Sequence, residues 1–63
     1  MNHAEAELAN AINRACSYAY VLEHPISINL PDGSTVIGYT VRHGLLVRVD
    51  YTIIPAGVDE TFQ

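Results

Sequence analysis

The chain has 63 residues, with seven carboxylates against three arginines and no lysine, for a formal net charge of −4. This length predicts a single domain, residues 1–63, whose core yields only about 3–5 kcal/mol, and the acidic balance argues against direct binding of nucleic acid. A lone Cys16 excludes an intramolecular disulfide, and neither a signal peptide nor a membrane span of about 20 apolar residues is visible. We therefore expect a cytoplasmic protein that has no membrane partner.

The first predicted element is a helix over residues of about 3–22. Asn2 followed by Glu5 resembles a capping box, and His24-Pro25 ends the helix because a residue before proline leaves the helical region. At about 100° per residue, one alanine-rich stripe emerges that can approach a sheet closely. Its members are Ala4, Leu8, Ala11, Ile12, Ala15, Ala19 and Leu22.

Three strands are predicted next, at about 26–30, 35–41 and 45–54, with a tail over 55–63. If Asp32-Gly33 is the two-residue centre of the first turn, or if all four residues 31–34 form the loop, Ile28 faces Ile37 and Ile26 faces Tyr39. A three-residue loop over 31–33 is rejected, because it would turn Ile37 and Tyr39 away from the isoleucines. The second turn is interpreted as a three-residue loop over 42–44, with Gly44 in a left-handed conformation.

This register divides the sheet into two faces. The predicted inner face contains Ile26, Ile28, Leu30, Ile37, Tyr39, Val41, Leu45, Val47, Val49, Tyr51 and Ile53. The predicted outer face contains Ser27, Asn29, Val36, Gly38, Thr40, Leu46, Arg48, Asp50, Thr52 and Ile54. The sequence thus predicts an α+β fold, one N-terminal helix packed on a three-stranded antiparallel meander in the order α-β-β-β.

Carboxylates are expected to gather at one end of this fold. The short link after the helix makes the first strand run antiparallel to it, so the helix start, the Asp32 turn and the end of the third strand share one pole. Candidate partner-binding residues there are Glu5, Glu7, Asp32, Asp59 and Glu60, with Asp50 as an outlier on the sheet. The opposite pole carries Glu23, His24, Arg42 and His43.

Residue types that carry chemistry do not converge in this arrangement. His3, His24 and His43 fall in a tail, a link and a turn without metal-ligand spacing, and Cys16 lies at the flank of the buried stripe. We therefore expect no enzyme activity, no catalytic residue, no metal and no cofactor.

In size, acidity, lack of lysine and compact helix-on-meander design, the chain resembles small phage-encoded inhibitors of the anti-CRISPR type. The resemblance implies a non-enzymatic inhibitor that offers negative charge to a basic, nucleic-acid-binding site of a larger protein. The alternative is a small structural or accessory subunit that homodimerises or docks through its outer sheet face, with Val36, Leu46, Ile54 and Tyr20 as interface residues.

Overall fold

The computed structural model describes residues 3–57, and it confirms the expected α+β fold. The helix α1 spans His3–Leu22, and the strands are β1 (Ile26–Asn29), β2 (Thr35–His43) and β3 (Leu46–Ile54). The sheet is antiparallel with the order β1-β2-β3, so β2 is central as expected. Asn2 of the predicted cap and residues 58–63 of the predicted tail lie outside the described residues.

The helix ends where the sequence indicates, just before Pro25. Glu23 adopts a left-handed φ of 58° and its N–H still donates to the Ala19 carbonyl at 2.9 Å. This is the αL geometry that commonly closes a helix. The short link that follows sends β1 back under α1, so that the helix covers one face of the sheet, called here the helix face.

The first turn corrects the sequence-based register. Gly33 has a φ of 95°, its N–H donates to the Leu30 carbonyl, and the Leu30 N–H donates to the Ser34 carbonyl. This is the three-residue loop Pro31-Asp32-Gly33, a type I turn closed by a left-handed glycine, which the sequence analysis rejected. Ile28 consequently pairs with Val36 rather than with Ile37.

The second turn also differs from the prediction. Gly44 is left-handed as expected, with a φ of 61°, but His43 pairs with Leu46 and the loop is the two-residue Gly44-Leu45. Glycine at the first of two loop positions suits a type II′ hairpin turn, whose twist matches that of the strands. Leu45, predicted on the inner face, is 99% exposed at the tip.

These two corrections invert β2 while leaving β1 and β3 on their predicted faces. The helix face of β2 carries Val36, Gly38 and Thr40, whereas the odd-numbered residues of β2 lie on the other side, called here the open face. Ile37, Tyr39 and Val41 were therefore wrongly placed on the inner face. They lie on the open face together with Leu46, Arg48, Asp50, Thr52 and Ile54.

A backbone contact explains the orientation of β2. A Cβ placed on Gly38 would lie 2.6 Å from both the carbonyl carbon and the carbonyl oxygen of Ala15, and 2.9 Å from the Cys16 nitrogen. Only a glycine permits the helix to lie this close to the central strand. Any other β2 residue at this point would push the helix away from the sheet.

The core formed by this contact is thin. The buried apolar residues among the described part are Ala11, Ala15, Ala19 and Val36. Leu8, Ile12, Ile28 and Leu30 pack against them while partly exposed, and Leu22, predicted in the stripe, is 54% exposed. Val36 is the only large side chain among them that is fully buried.

We expect Gly38→Ala to destabilise the protein by about 1–3 kcal/mol or more, since the added methyl meets helix backbone that cannot rotate away. This is a large share of the stability of so small a domain. Thr40→Ala, on the same face of the same strand, serves as the control and should change stability by less than about 1 kcal/mol. Urea denaturation measures both, and equal losses would contradict the close approach.

The inverted strand gives a second test at neighbouring positions. Val36→Ala removes fully buried methyl groups and should cost about 2–3 kcal/mol, whereas Ile37→Ala, on the half-buried open face, should cost less although it removes more atoms. Thermal and urea unfolding of both variants would show the order, and a larger loss from Ile37→Ala would favour the register expected from the sequence.

Candidate functional site

A cleft of about 380 Å³ lies at the pole where α1 begins, and it is called here the carboxylate cleft. Glu5 and Glu7 of the helix line it on one side, and Asp32 of the first turn also lines it. The structure thus brings together three of the carboxylates that the sequence places at one pole. The remaining lining residues are Ala4, Leu8, Leu30, Pro31, Ser34, Ile53, Pro55 and Ala56.

The two helix carboxylates occupy the first turns of α1. Glu5 lies in the first turn of α1, where the helix dipole favours negative charge. Glu7 Oε2 lies 3.6 Å from Nε2 of His3, one turn away, and its side chain is 44% exposed. Both groups therefore remain accessible at the rim.

Asp32 is held by its own turn. Its Oδ1 accepts hydrogen bonds from the Ser34 hydroxyl at 2.6 Å and from the Ser34 N–H at 2.9 Å. The hydroxyl bond first, and the backbone bond second, lower the pKa of the Asp32 carboxyl below its usual range. The carboxylate is consequently ionised at neutral pH and has a fixed direction.

The lining of the carboxylate cleft includes an apolar floor that was not predicted from the sequence. Leu8, in α1, and Leu30, just after β1, pack against the buried core as predicted, but they remain partly exposed and also line the cleft. The first turn also closes on the residues after β3, since a Cβ on Gly33 would lie 3.2 Å from the Cβ of Ala56. An apolar residue at the end of an amphipathic stripe is the signal that could have indicated this floor.

Other predicted partner-binding carboxylates are not part of this cleft. Asp50 does not line it; Asp50 lies on the open face in the middle of β3, where its Oδ1 accepts the Tyr51 N–H at 2.8 Å. Asp59 and Glu60 lie outside the described residues.

The opposite pole contains an ion pair that the predicted topology anticipates. Arg42 Nη2, near the end of β2, lies 3.9 Å from Glu23 Oε1, just after α1. Both side chains are well exposed, at 62% and 71%, so their contribution to stability is small. The carboxylates of the cleft thus lie far along the helix from this arginine.

A second, more open cleft of about 260 Å³ adjoins the first between α1 and β1. Glu7 lines both clefts, but the second also contains Arg14 together with Asn10 and Asn29. Its charges are therefore balanced, and it does not extend the acidic surface.

Only some residues of the alternative interface predicted from the sequence are exposed at the surface. Val36 is fully buried beneath the helix and is unable to contact a partner, which corrects its assignment. Leu46 is 75% exposed and shares the open face with Ile54, while Tyr20 is 58% exposed on α1. Among residues 3–57, no helix or strand packs on the open face.

Metal-ligating and nucleophilic groups are scattered within the described residues. No group of three or more His, Cys, Asp or Glu side chains there could hold a metal ion. Cys16 is half-buried, with its Sγ 3.9 Å from the Asp50 carbonyl oxygen. His24 Nδ1 lies 3.0 Å from its neighbour's carbonyl oxygen at Pro25. Within the described residues, no helix is both long enough and apolar enough to cross a bilayer.

Comparison of the chain with protein-family models, with curated proteins and with solved structures found no match.

The lowered pKa of Asp32 predicts a pH-dependent stability. A carboxyl whose pKa is lower in the folded state stabilises the fold above its unfolded pKa, and this contribution is lost as the pH falls through the folded pKa. Asp32→Asn keeps the acceptor oxygen but removes the charge, so its hydrogen bonds to Ser34 are weaker.

We expect the wild type to melt above Asp32→Asn at neutral pH and the gap to close as the pH falls below 3.8, the ordinary pKa of this carboxyl. Glu23→Gln at the opposite pole is the control and should show no comparable closure. Melting temperatures recorded across this range provide the measurement. A gap that stays constant with pH would mean that the carboxylate charge does not stabilise the turn.

Proposed function

We propose that this protein acts without chemistry of its own, as an inhibitor that docks the carboxylate cleft on a basic, nucleic-acid-binding surface of a larger protein. The observation that carries the proposal is the convergence of Glu5, Glu7 and Asp32, from two separate sequence regions, on one apolar-floored cleft. Folding alone requires Asp32 for its turn, but it does not require all three carboxylates at one rim.

The chemistry of the cleft suits a long cationic side chain. Arginine and lysine carry an aliphatic stem that packs on apolar surface and a charged head that seeks carboxylates. In the carboxylate cleft, the stem would lie along Leu8, Leu30 and Ile53 while the head meets the rim. The fixed direction of Asp32 lowers the entropy lost on forming such a contact.

Energetics favour several contacts acting together. A single exposed ion pair is worth about 0–1 kcal/mol, whereas charge pairs enclosed between two proteins contribute more. The net charge of −4 adds long-range attraction to a basic partner, and this attraction is screened as salt rises. A ligand competing for the same basic surface, such as a nucleic-acid backbone, would be displaced by this mechanism.

The test uses a short oligoarginine peptide as the probe, titrated into the protein and followed by nuclear magnetic resonance. We expect shifts concentrated at the methyl groups of Leu8, Leu30 and Ile53, with an affinity that falls as salt is raised. The triple variant Glu5→Gln, Glu7→Gln and Asp32→Asn should lose the shifts, since it keeps the shape of each side chain and removes the three negative charges.

The matched control is Glu23→Gln, a carboxylate removed at the opposite pole, which should bind the peptide nearly as well as the wild type. Shifts spread evenly over the surface, or equal losses in the control and in the triple variant, would show that net charge rather than the cleft attracts the probe. Either result would contradict the proposed site.

A further inference from the structure

Among residues 3–57, no strand pairs with the outer edge of β3, and the backbone geometry of β3 shows which groups point outward. A two-residue loop closes on a hydrogen-bonded pair, here His43 and Leu46, and such pairs alternate along an antiparallel ladder. The N–H and C=O groups of Val47, Val49 and Tyr51 therefore point away from β2. The bond from the Tyr51 N–H to the Asp50 side chain agrees with this alternation.

Apolar surface accompanies this free edge. Val47 and Tyr51 on the helix face are 39% and 43% exposed, and Tyr20 of α1 is 58% exposed. Together with a core that fully buries only Val36 among large side chains, these values indicate surface suited to a further partner.

We propose that the partner is a second copy of this chain. The β3 strands of the two copies pair antiparallel about a two-fold axis at Val49, and the two sheets together form one six-stranded sheet. An axis perpendicular to the sheet keeps each face on its own side, so the allowed registers differ by steps of two residues. The charged side chains of β3 favour one of these registers. A two-fold axis at Arg48 would place two guanidinium groups opposite each other, and an axis at Asp50 would place two carboxylates opposite each other.

Centring on Val49 places the Arg48 of each copy directly opposite the Asp50 of the other. Within one copy, Arg48 faces Val41 of β2 and Asp50 faces Tyr39. Arg48 forms no ion pair with another described residue. Two cross-strand ion pairs thus form on the open face. On the helix face, Val47 of each copy meets Tyr51 of the other, the aromatic and β-branched combination that stabilises strand pairs.

Backbone hydrogen bonds fit the same register. Val49 exchanges two bonds with its own copy, and each Tyr51 N–H can donate to the Val47 carbonyl of the second copy. Asp50 then releases the Tyr51 N–H and turns to Arg48. The β1 edge is a poorer candidate, because β1 has only four residues and its outward backbone groups belong to Ser27 and Asn29, which carry no charge.

The first experiment combines sedimentation equilibrium with amide hydrogen exchange of the unmodified protein. We expect a mass of twice 6.9 kDa at high concentration, with protection of the Val47, Val49 and Tyr51 amides that grows with concentration. The Ser27 and Asn29 amides are the internal control and should stay unprotected. A monomer at millimolar concentration would overturn the proposal, as would a dimer without protection of the β3 edge, which would indicate packing through the open face.

The second experiment tests the register with charge variants. Arg48→Asp opposes carboxylates at both positions of the pairing, and Asp50→Arg opposes guanidinium groups. We expect the dimer dissociation constant of each to rise by about tenfold or more. Mixing the two variants restores a carboxylate opposite a guanidinium at both positions, so a heterodimer of near wild-type affinity should form.

Circular dichroism of each variant establishes that it is folded, and Arg14→Asp, a reversal on the helix, is the matched control that should leave dimerisation unchanged. Two variants that still dimerise separately, or folded variants that fail to combine on mixing, would overturn the register. If either variant fails to fold, the exchange protection of the wild type decides the proposal. The carboxylate cleft keeps all three carboxylates in these variants, so its binding of oligoarginine is scored separately.

Discussion

The close approach of Gly38 to the backbone of Ala15 determines much of this structure. Because no Cβ fits between them, the helix presents a stripe of alanines and β2 presents its glycine. The two layers lie so close that little space remains for large side chains, and Val36 is the one large side chain fully buried there. A helix standing farther from the sheet would have needed leucines or aromatics in the gap.

This constraint also decides where the remaining apolar residues lie. Turning Val36 and Gly38 toward the helix turns Ile37, Tyr39 and Val41 toward the open face. The more apolar face of the central strand is thus left uncovered by the described helix and strands. A helix centred on β2 likewise leaves Val47 and Tyr51 of β3 partly exposed. The apolar surface of this chain is therefore a consequence of how its helix packs.

Sequence reasoning predicts the element order well, because the signals are local. Pro25 and the alanine stripe define α1, whose bounds match, and the period-2 runs define three strands. The face of β2 was missed because both of its sides contain apolar residues, so alternation alone does not choose between registers. The two turns determine the strand register instead, because Gly33 ends a three-residue loop and Gly44 begins a two-residue loop.

The predicted position of the candidate site was less affected by the error in the face of β2. The acidic pole depends only on an antiparallel return after the helix, and not on which residues of β2 face inward, so Glu5, Glu7 and Asp32 meet as expected. The apolar floor was not predicted, since it arises from the thin core. A register slip thus moves a sheet interface entirely but leaves a site at the end of the elements in place.

The two proposed surfaces are compatible in one assembly. Pairing centred on Val49 occupies residues 46–52 of β3, whereas the carboxylate cleft reaches β3 only at Ile53, beyond that segment. At about 3.4 Å per residue, the two clefts of the dimer would lie at least roughly 27 Å apart along the strands. Two weak carboxylate sites held at a fixed spacing bind a repeating basic surface more tightly than one, because the second contact becomes intramolecular. Dimerisation would in this way compensate for the small energy of each exposed ion pair.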